Sequence, residues 1–151
     1  MSGRLFKPIS FERTGAKSRS ISFYRLAIPA VRPTDSQLFS GASGLVTKTY
    51  IGVPLIDLLN DAMIITDNTA HKNDILRKYV VVRATDCYEV IVAVAELLST
   101  FGHQQVLVAF ETGDGQPLDA TEGMARLVVP GDKAGGRFVS NITTITVRSA
   151  P

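Results

Sequence analysis

Arg126-Leu-Val-Val-Pro-Gly-Asp-Lys-Ala-Gly-Gly-Arg-Phe-Val-Ser-Asn-Ile-Thr-Thr-Ile-Thr-Val147 is the stretch on which the fold turns. Leu127 to Val129 is a short apolar run halted by Pro130-Gly131, the pattern of a buried strand ended by a turn. Ile142 to Val147 sets Ile145 and Val147 on one face among threonines, and β-branched density of this kind favours a half-buried strand. Between the two runs, Gly131, Gly135 and Gly136 allow the backbone to aim its amides at one point, with Lys133 and Arg137 beside them. Amides and cations converging in this way make a concavity suited to an anion, above all a phosphate. A solvated glycine-rich loop between two strands is the plainer alternative.

Strand signals recur upstream of this stretch. Ile9 and Phe11 alternate with polar residues, Thr14 to Lys17 is a turn, and Ser20 to Ala30 is a strand or a short helical turn closed by prolines. Ser36 to Ser40 and Leu45 to Ile51 form two strands around the loose glycine hairpin Gly41-Ala42-Ser43-Gly44. Gly52-Val53-Pro54 opens the clearest helix, because a proline near the first turn lacks only an N–H that is not needed there. Leu55, Leu58, Leu59 and Met63 form its apolar stripe, and Asp57, Asn60 and Asp61 its wet side. Asp74 to Arg77 is a further helical turn. Tyr79 to Arg83 and Tyr88 to Val94 pair across a turn at Ala84 to Cys87. Ala95 to Ser99 is a short helix, Val106 to Phe110 a core strand, and Thr112 to Pro117 a strong turn. Many short strands with turns every few residues and one firm helix predict a β-rich α+β fold in a single domain covering residues 1–151.

A chain of 151 residues with 45% hydrophobic content can bury a real core without disulfides or metal staples. No apolar run approaches the length of a membrane span. Met1-Ser2-Gly3-Arg4 lacks an apolar segment after its charge, so no signal peptide is expected in this sequence. The net charge of +2 is unevenly placed: residues 1–32 carry seven basic side chains against Glu12, giving +6, and the remainder carries nine against thirteen acidic, giving −4. Such a segment suits an acidic protein partner or a membrane surface. Its charges stand singly without aromatic interleaving, which argues for a solvated face and against nucleic acid as a partner.

The chemistry-bearing residues are few. Cys87 is the only cysteine, which excludes an intrachain disulfide and any multi-thiolate zinc site. With Asp86 and Glu89 beside it in sequence, it is expected to be an idle thiol. His71 and His103 lack ligand spacing, and Tyr88 is either a core residue or a hydrogen-bond donor at a site mouth. No nucleophile–histidine–carboxylate order, P-loop or dinucleotide fingerprint follows a strand, so no catalytic residue is assigned.

Five segments share an order with a known family. Thr49 to Leu59 resembles "tGVpLxdLL", and Tyr79 to Val82 with Ala84 to Tyr88 resembles "YVvvtgaDGY". Ala95-Glu96-Leu97 resembles "lAEL", and Val106 to Ala109 with Asp114 to Leu118 resembles "vLLAyexdGxPL". Leu127 to Lys133 with Gly136 to Val139 resembles "RLVVPGdkxggRwV". On these segments the chain is similar to the molybdopterin-binding domain of the sulfite oxidase family, in particular its stand-alone bacterial members. The likeness covers about residues 36–148.

That resemblance implies a mostly β fold holding molybdopterin, a loop at Pro130 to Ser140 that grips the pterin's phosphate, and an exported, periplasmic protein. Carried over by position, Lys133, Gly135, Gly136, Arg137 and Ser140 are the cofactor-binding candidates. The departures are as informative. Ser40 lies about where the family has its metal-binding cysteine, and a hydroxyl is a much poorer ligand for a soft metal than a thiolate. Ser140 and Asn141 stand where full enzymes have a lysine and a tryptophan. The expectation is therefore a protein that binds a pterin phosphate or other anionic small molecule without molybdenum-centred turnover. A molybdopterin-dependent oxidoreductase is the alternative, and an accessory domain engaging an acidic partner the third reading.

Overall fold

The computed structural model describes residues 9–13, 16–21, 32–40 and 44–151, with side chains from Val46 onward. Among the described residues two sheets and two short α-helices make up the fold, as its β-rich α+β sequence pattern implies. The strands are β1 (Ile9–Arg13), β2 (Ala16–Ile21), β3 (Arg32–Ser40), β4 (Gly44–Pro54), β5 (Lys78–Ala84), β6 (Glu89–Ala93), β7 (Leu107–Thr112), β8 (Arg126–Val128) and β9 (Ile142–Ser149). The helices are α1 (Leu55–Asp61) and α2 (Val94–Leu97).

One sheet has the order β2-β1-β9-β5-β6 and the other β3-β4-β7-β8. Strand β1 lies parallel to β9, and every other described pairing is antiparallel. The glycine hairpin is longer than the residue pattern predicts: β3 and β4 stay in register from Ser40↔Gly44 to Arg32↔Gly52. Strand β2 begins at Ala16, inside the stretch expected to be a turn. Most of the expected Ser20 to Ala30 element lies outside the described residues.

Strand β5 explains why the two sheets close on each other. Val80, Val82 and Ala84 point into the space that α1 and α2 also face, and period-two alternation fixes that face. Val90 and Val92 of β6, Ile142 and Ile145 of β9, Val53 and Val108 of the second sheet, and Leu55, Leu58 and Leu59 of α1 complete this core. Burying each such side chain favours the fold by about 1.5–3 kcal/mol. The far face of the second sheet builds a smaller cluster from Tyr50, Leu107, Ala109, Val128, Leu118 and Phe138.

Strand β4 approaches β7 so closely that a Cβ on Gly52 would overlap the Val108 carbonyl, at the point where their register shifts. The helix that follows differs from expectation at both ends. Pro54 ends β4 and caps the helix rather than opening it. The helix stops at Asp61, so Met63 falls beyond the stripe in the left-handed region and is exposed. A carboxylate ties the start of β5 to the last strand. Buried Asp74 accepts the Asp67 amide at 3.0 Å, Arg77 at 3.0 Å and Lys78 at 2.9 Å. Arg77 in turn reaches the Ala150 carbonyl. The Asp67 amide, with Lys78 and Arg77, holds the Asp74 carboxyl below its usual range. Among the described residues no helix is long and apolar enough to cross a membrane.

Candidate functional site

The loop joining β8 to β9 is fastened at both ends by apolar burial. Val129 and Val139 are buried, and the Leu127 amide donates to the Val139 carbonyl at 2.8 Å, so the chain returns beside the strand it left. Asp132 donates its amide to Val129 at 3.0 Å, which closes the bend at Pro130-Gly131. Gly135–Arg137 forms one 3₁₀ turn, closed by Phe138 N–H to the Gly135 carbonyl at 3.1 Å. The glycines at 131, 135 and 136 do not adopt left-handed backbone; among the described glycines Gly115 and Gly123 do. The loop bends by a right-handed turn, not by the alternating geometry of a backbone nest.

Arg137 already has partners. Its Nε and one terminal nitrogen donate to the two oxygens of Asp132, both at 2.7 Å, in the bidentate form that matches a guanidinium to a carboxylate. Its other terminal nitrogen lies 3.3 and 3.4 Å from the oxygens of Glu96 on α2. Asp132 first, and then Glu96, outweigh the cost of partial burial and raise the arginine's pKa further. Glu96 also accepts the Ala93 amide at 2.8 Å, so the first turn of α2 holds this carboxylate in place. Lys133 is exposed and Ser140 half-buried. Asp132 of the loop and Glu96 of α2 together balance the charges of Arg137 and Lys133.

Three other parts of the chain border the loop. Strand β3, which ends at Ser40, runs beside the 3₁₀ turn. Tyr88 is half-exposed, and its hydroxyl donates to the Gly136 carbonyl at 2.7 Å; it is a donor to the loop, not a core residue. Gln104 turns its side-chain oxygen toward Gly131, where a Cβ would lie 4.0 Å away. That oxygen is buried and accepts no hydrogen bond among the described residues.

Cys87 occupies the tip of the β5–β6 hairpin, exposed, with a φ of 69°. The Cys87 side chain, ahead of Glu89, raises the pKa of Arg83, so that guanidinium lies within reach of the thiol. His71 and His103 are exposed. Of the basic N-terminal segment, the side chains of Arg4, Lys7, Arg13, Lys17, Arg19, Arg25 and Arg32 lie outside the described residues.

A second charged cluster has no counterpart in the sequence reading. Glu122 is buried and accepts from the Tyr50 hydroxyl at 2.6 Å, Arg126 at 2.6 Å and Lys48 at 2.8 Å. Both cations lie over the Tyr50 ring, 5.2 and 5.7 Å from its centroid. Burial opposes ionisation of Glu122, but Lys48, Tyr50 and Arg126 prevail and hold its carboxyl below the ordinary range. Burial and then Glu122 push the Tyr50 phenol well above its ordinary value. The sequence signals were a glutamate four residues before an arginine and a lysine two before a tyrosine, spacings too common to single out.

Asn141 also acquires a role. It sits in the left-handed region at φ 53°, a conformation asparagine tolerates, and its amide donates to Glu122 while its carbonyl accepts from Thr85. Its side chain donates to the Thr121 carbonyl at 3.0 Å, and a Cβ on Gly123 would overlap it. Asn141 thus staples the Glu122 loop to the tip of the β5–β6 hairpin.

A family model described as the oxidoreductase molybdopterin binding domain matches residues 30–151. Comparison with curated proteins gave no match. Among solved structures, the crystal structure of the sulfane dehydrogenase SoxCD from Paracoccus pantotrophus is similar, with a TM-score of 0.72 at 18% identity. The match covers 95% of this chain and 38% of that one, so the chain spans well under half the length of the protein it resembles. At that identity the likeness concerns the fold alone.

Proposed function

Because the chain belongs to the family of oxidoreductase molybdopterin-binding domains, we propose that it is a binding member of that family. It seats a pterin phosphate or a similar anion at Pro130 to Ser140, without metal-centred turnover. One observation carries this reading: Cys87 is the only thiol in the chain, and it stands on an exposed hairpin tip. Ser40, at about the position of the family thiolate, offers a hydroxyl. These donors do not fit a molybdenum completed by a protein thiolate.

The organic part of the cofactor fits better. Gln104 offers a buried acceptor beside Gly131, which a ring N–H donor such as a pterin carries would satisfy. Lys133, exposed on the same loop, supplies a cation for the phosphate, with Arg137 as the bidentate donor once its present partners release it. The test is a mass spectrum of the small molecule released from protein made in a molybdopterin-competent host. A pterin phosphate is expected, with occupancy lowered by Arg137→Ala; protein that releases no pterin overturns the reading. A second reading, oxidoreductase turnover at a metal held with Ser40 or no protein ligand, draws on the same retained loop and requires stoichiometric molybdenum.

A further inference from the structure

The arginine on which anion binding depends is held by two carboxylates that come from different parts of the chain. Asp132 belongs to the loop itself and closes on Arg137 at two 2.7 Å contacts. Glu96 belongs to α2, is fixed there by the Ala93 amide, and reaches the remaining terminal nitrogen at 3.3–3.4 Å. The donors of the guanidinium that would form a fork toward a phosphate are therefore spent on Asp132, and Glu96 adds a negative charge on the remaining side. Lys133 is exposed, and its one charge against these two carboxylates does not make the loop attractive to an anion.

We propose that Asp132 and Glu96 act as a latch, so that an anion enters this loop only by exchange: the guanidinium gives up Asp132 and takes a phosphate oxygen pair instead. The inference rests on the anion-binding reading above and adds to it how the site is opened. The moving part is short. It is the segment from Asp132 to Arg137, bounded by the Asp132 N–H to Val129 carbonyl bond and the buried Phe138. Tyr88 restrains that segment from outside through the Gly136 carbonyl. Glu96 stays behind when the latch opens, because its second role as the acceptor for Ala93 keeps it on α2. Closed, the loop's cations are balanced by Asp132 and by Glu96 of α2; open, Arg137 and Lys133 face the same ligand and Asp132 turns to solvent.

The experiment is calorimetric titration of inorganic phosphate into the full chain and into Asp132→Asn, Glu96→Gln and Asp132→Asn/Arg137→Gln. Amide hydrogen exchange of Lys133 to Phe138 is followed in the same proteins without phosphate. Asparagine and glutamine keep the shape and one acceptor while removing the charge, so folding is preserved, and glutamine at 96 still accepts the Ala93 amide. Asp132→Asn should bind phosphate about tenfold more tightly than the unaltered chain, and Glu96→Gln by a smaller factor. Binding should vanish in the double variant, and the loop amides should exchange faster in Asp132→Asn. Equal, measurable affinity in the unaltered chain and Asp132→Asn overturns the latch and leaves the anion-binding reading standing. Unchanged loop exchange in Asp132→Asn also overturns the latch. No phosphate binding in any variant overturns the anion-binding reading and the latch with it.

Discussion

Replacing Glu122 by alanine should cost about 3–5 kcal/mol of stability, the penalty for removing one partner of a buried charge cluster. The magnitude follows from what the carboxylate leaves behind. The Tyr50 hydroxyl, on a side chain with no exposure, loses its acceptor at 2.6 Å, at a cost of about 1–3 kcal/mol. Arg126, whose side chain is 16% exposed, keeps its charge without a counter-ion and already has a buried Nε with no partner among the described residues. That uncompensated charge supplies most of the remainder. Lys48 contributes least, because its side chain is 35% exposed and water takes over, at under about 1 kcal/mol. Asp119 cannot substitute, since one of its oxygens already holds the amides of Thr121 and Glu122 and the Thr121 hydroxyl. Urea unfolding at neutral pH measures the loss, and Tyr50→Phe should cost only about 1 kcal/mol because Glu122 keeps both cations.

The pH dependence has a definite sign. The folded carboxyl of Glu122 titrates below its ordinary value, so its contribution is fully present above that value and is lost as pH falls through the folded one. The acid limb of the stability curve should therefore flatten in Glu122→Gln. A loss below about 1 kcal/mol in Glu122→Ala, or an unchanged acid limb in Glu122→Gln, refutes the assignment of this cluster as the link between β4 and the segment before β8.

Three further outcomes follow from backbone geometry. Cys87→Gly should stabilise the chain by up to about 1 kcal/mol in urea melts, because glycine relieves a left-handed φ of 69° but gains more freedom when unfolded; a net loss beyond 1 kcal/mol would show that the Arg83 contact matters more. Asn141→Ala should cost about 2 kcal/mol, through the left-handed backbone and the lost Thr121 bond, and Asn141→Gly should recover the backbone share; equal losses in the two variants would contradict this division. Gly52→Ala should destabilise by about 1–3 kcal/mol, since its Cβ meets β7 backbone that cannot move aside; a neutral melt would refute that close approach.

What could be read from the sequence and what could not divides along physical lines. Strands such as Tyr79 to Arg83 and Leu127 to Val129 announce themselves because alternation and turn residues are local, and the ordered motifs from Thr49 to Val139 carry the family. The order of strands within each sheet is not local: nothing in Ile9 to Arg13 says that it lies parallel to β9. The start of helix α1 is likewise non-local, as the pairing of Val53 and Pro54 with β7 extends β4 over residues that favour a helix start. At the candidate site, Lys133 and Arg137 were legible as cations on a glycine loop. That Arg137 would be claimed by Asp132, five residues away, and by Glu96, forty-one away, depends on the tertiary fold. Glu122 gives no signal in the sequence, because burial of a carboxylate leaves no periodic trace.

The central claim concerns the missing sulfur. The most direct measurement is the molybdenum content per chain, by elemental analysis, of protein purified from a molybdopterin-competent host, alongside Ser40→Cys. A chain without a usable thiolate should carry far less than one molybdenum per protein, whether or not a pterin is retained, and Ser40→Cys should raise that content. One molybdenum per unaltered chain would contradict the account.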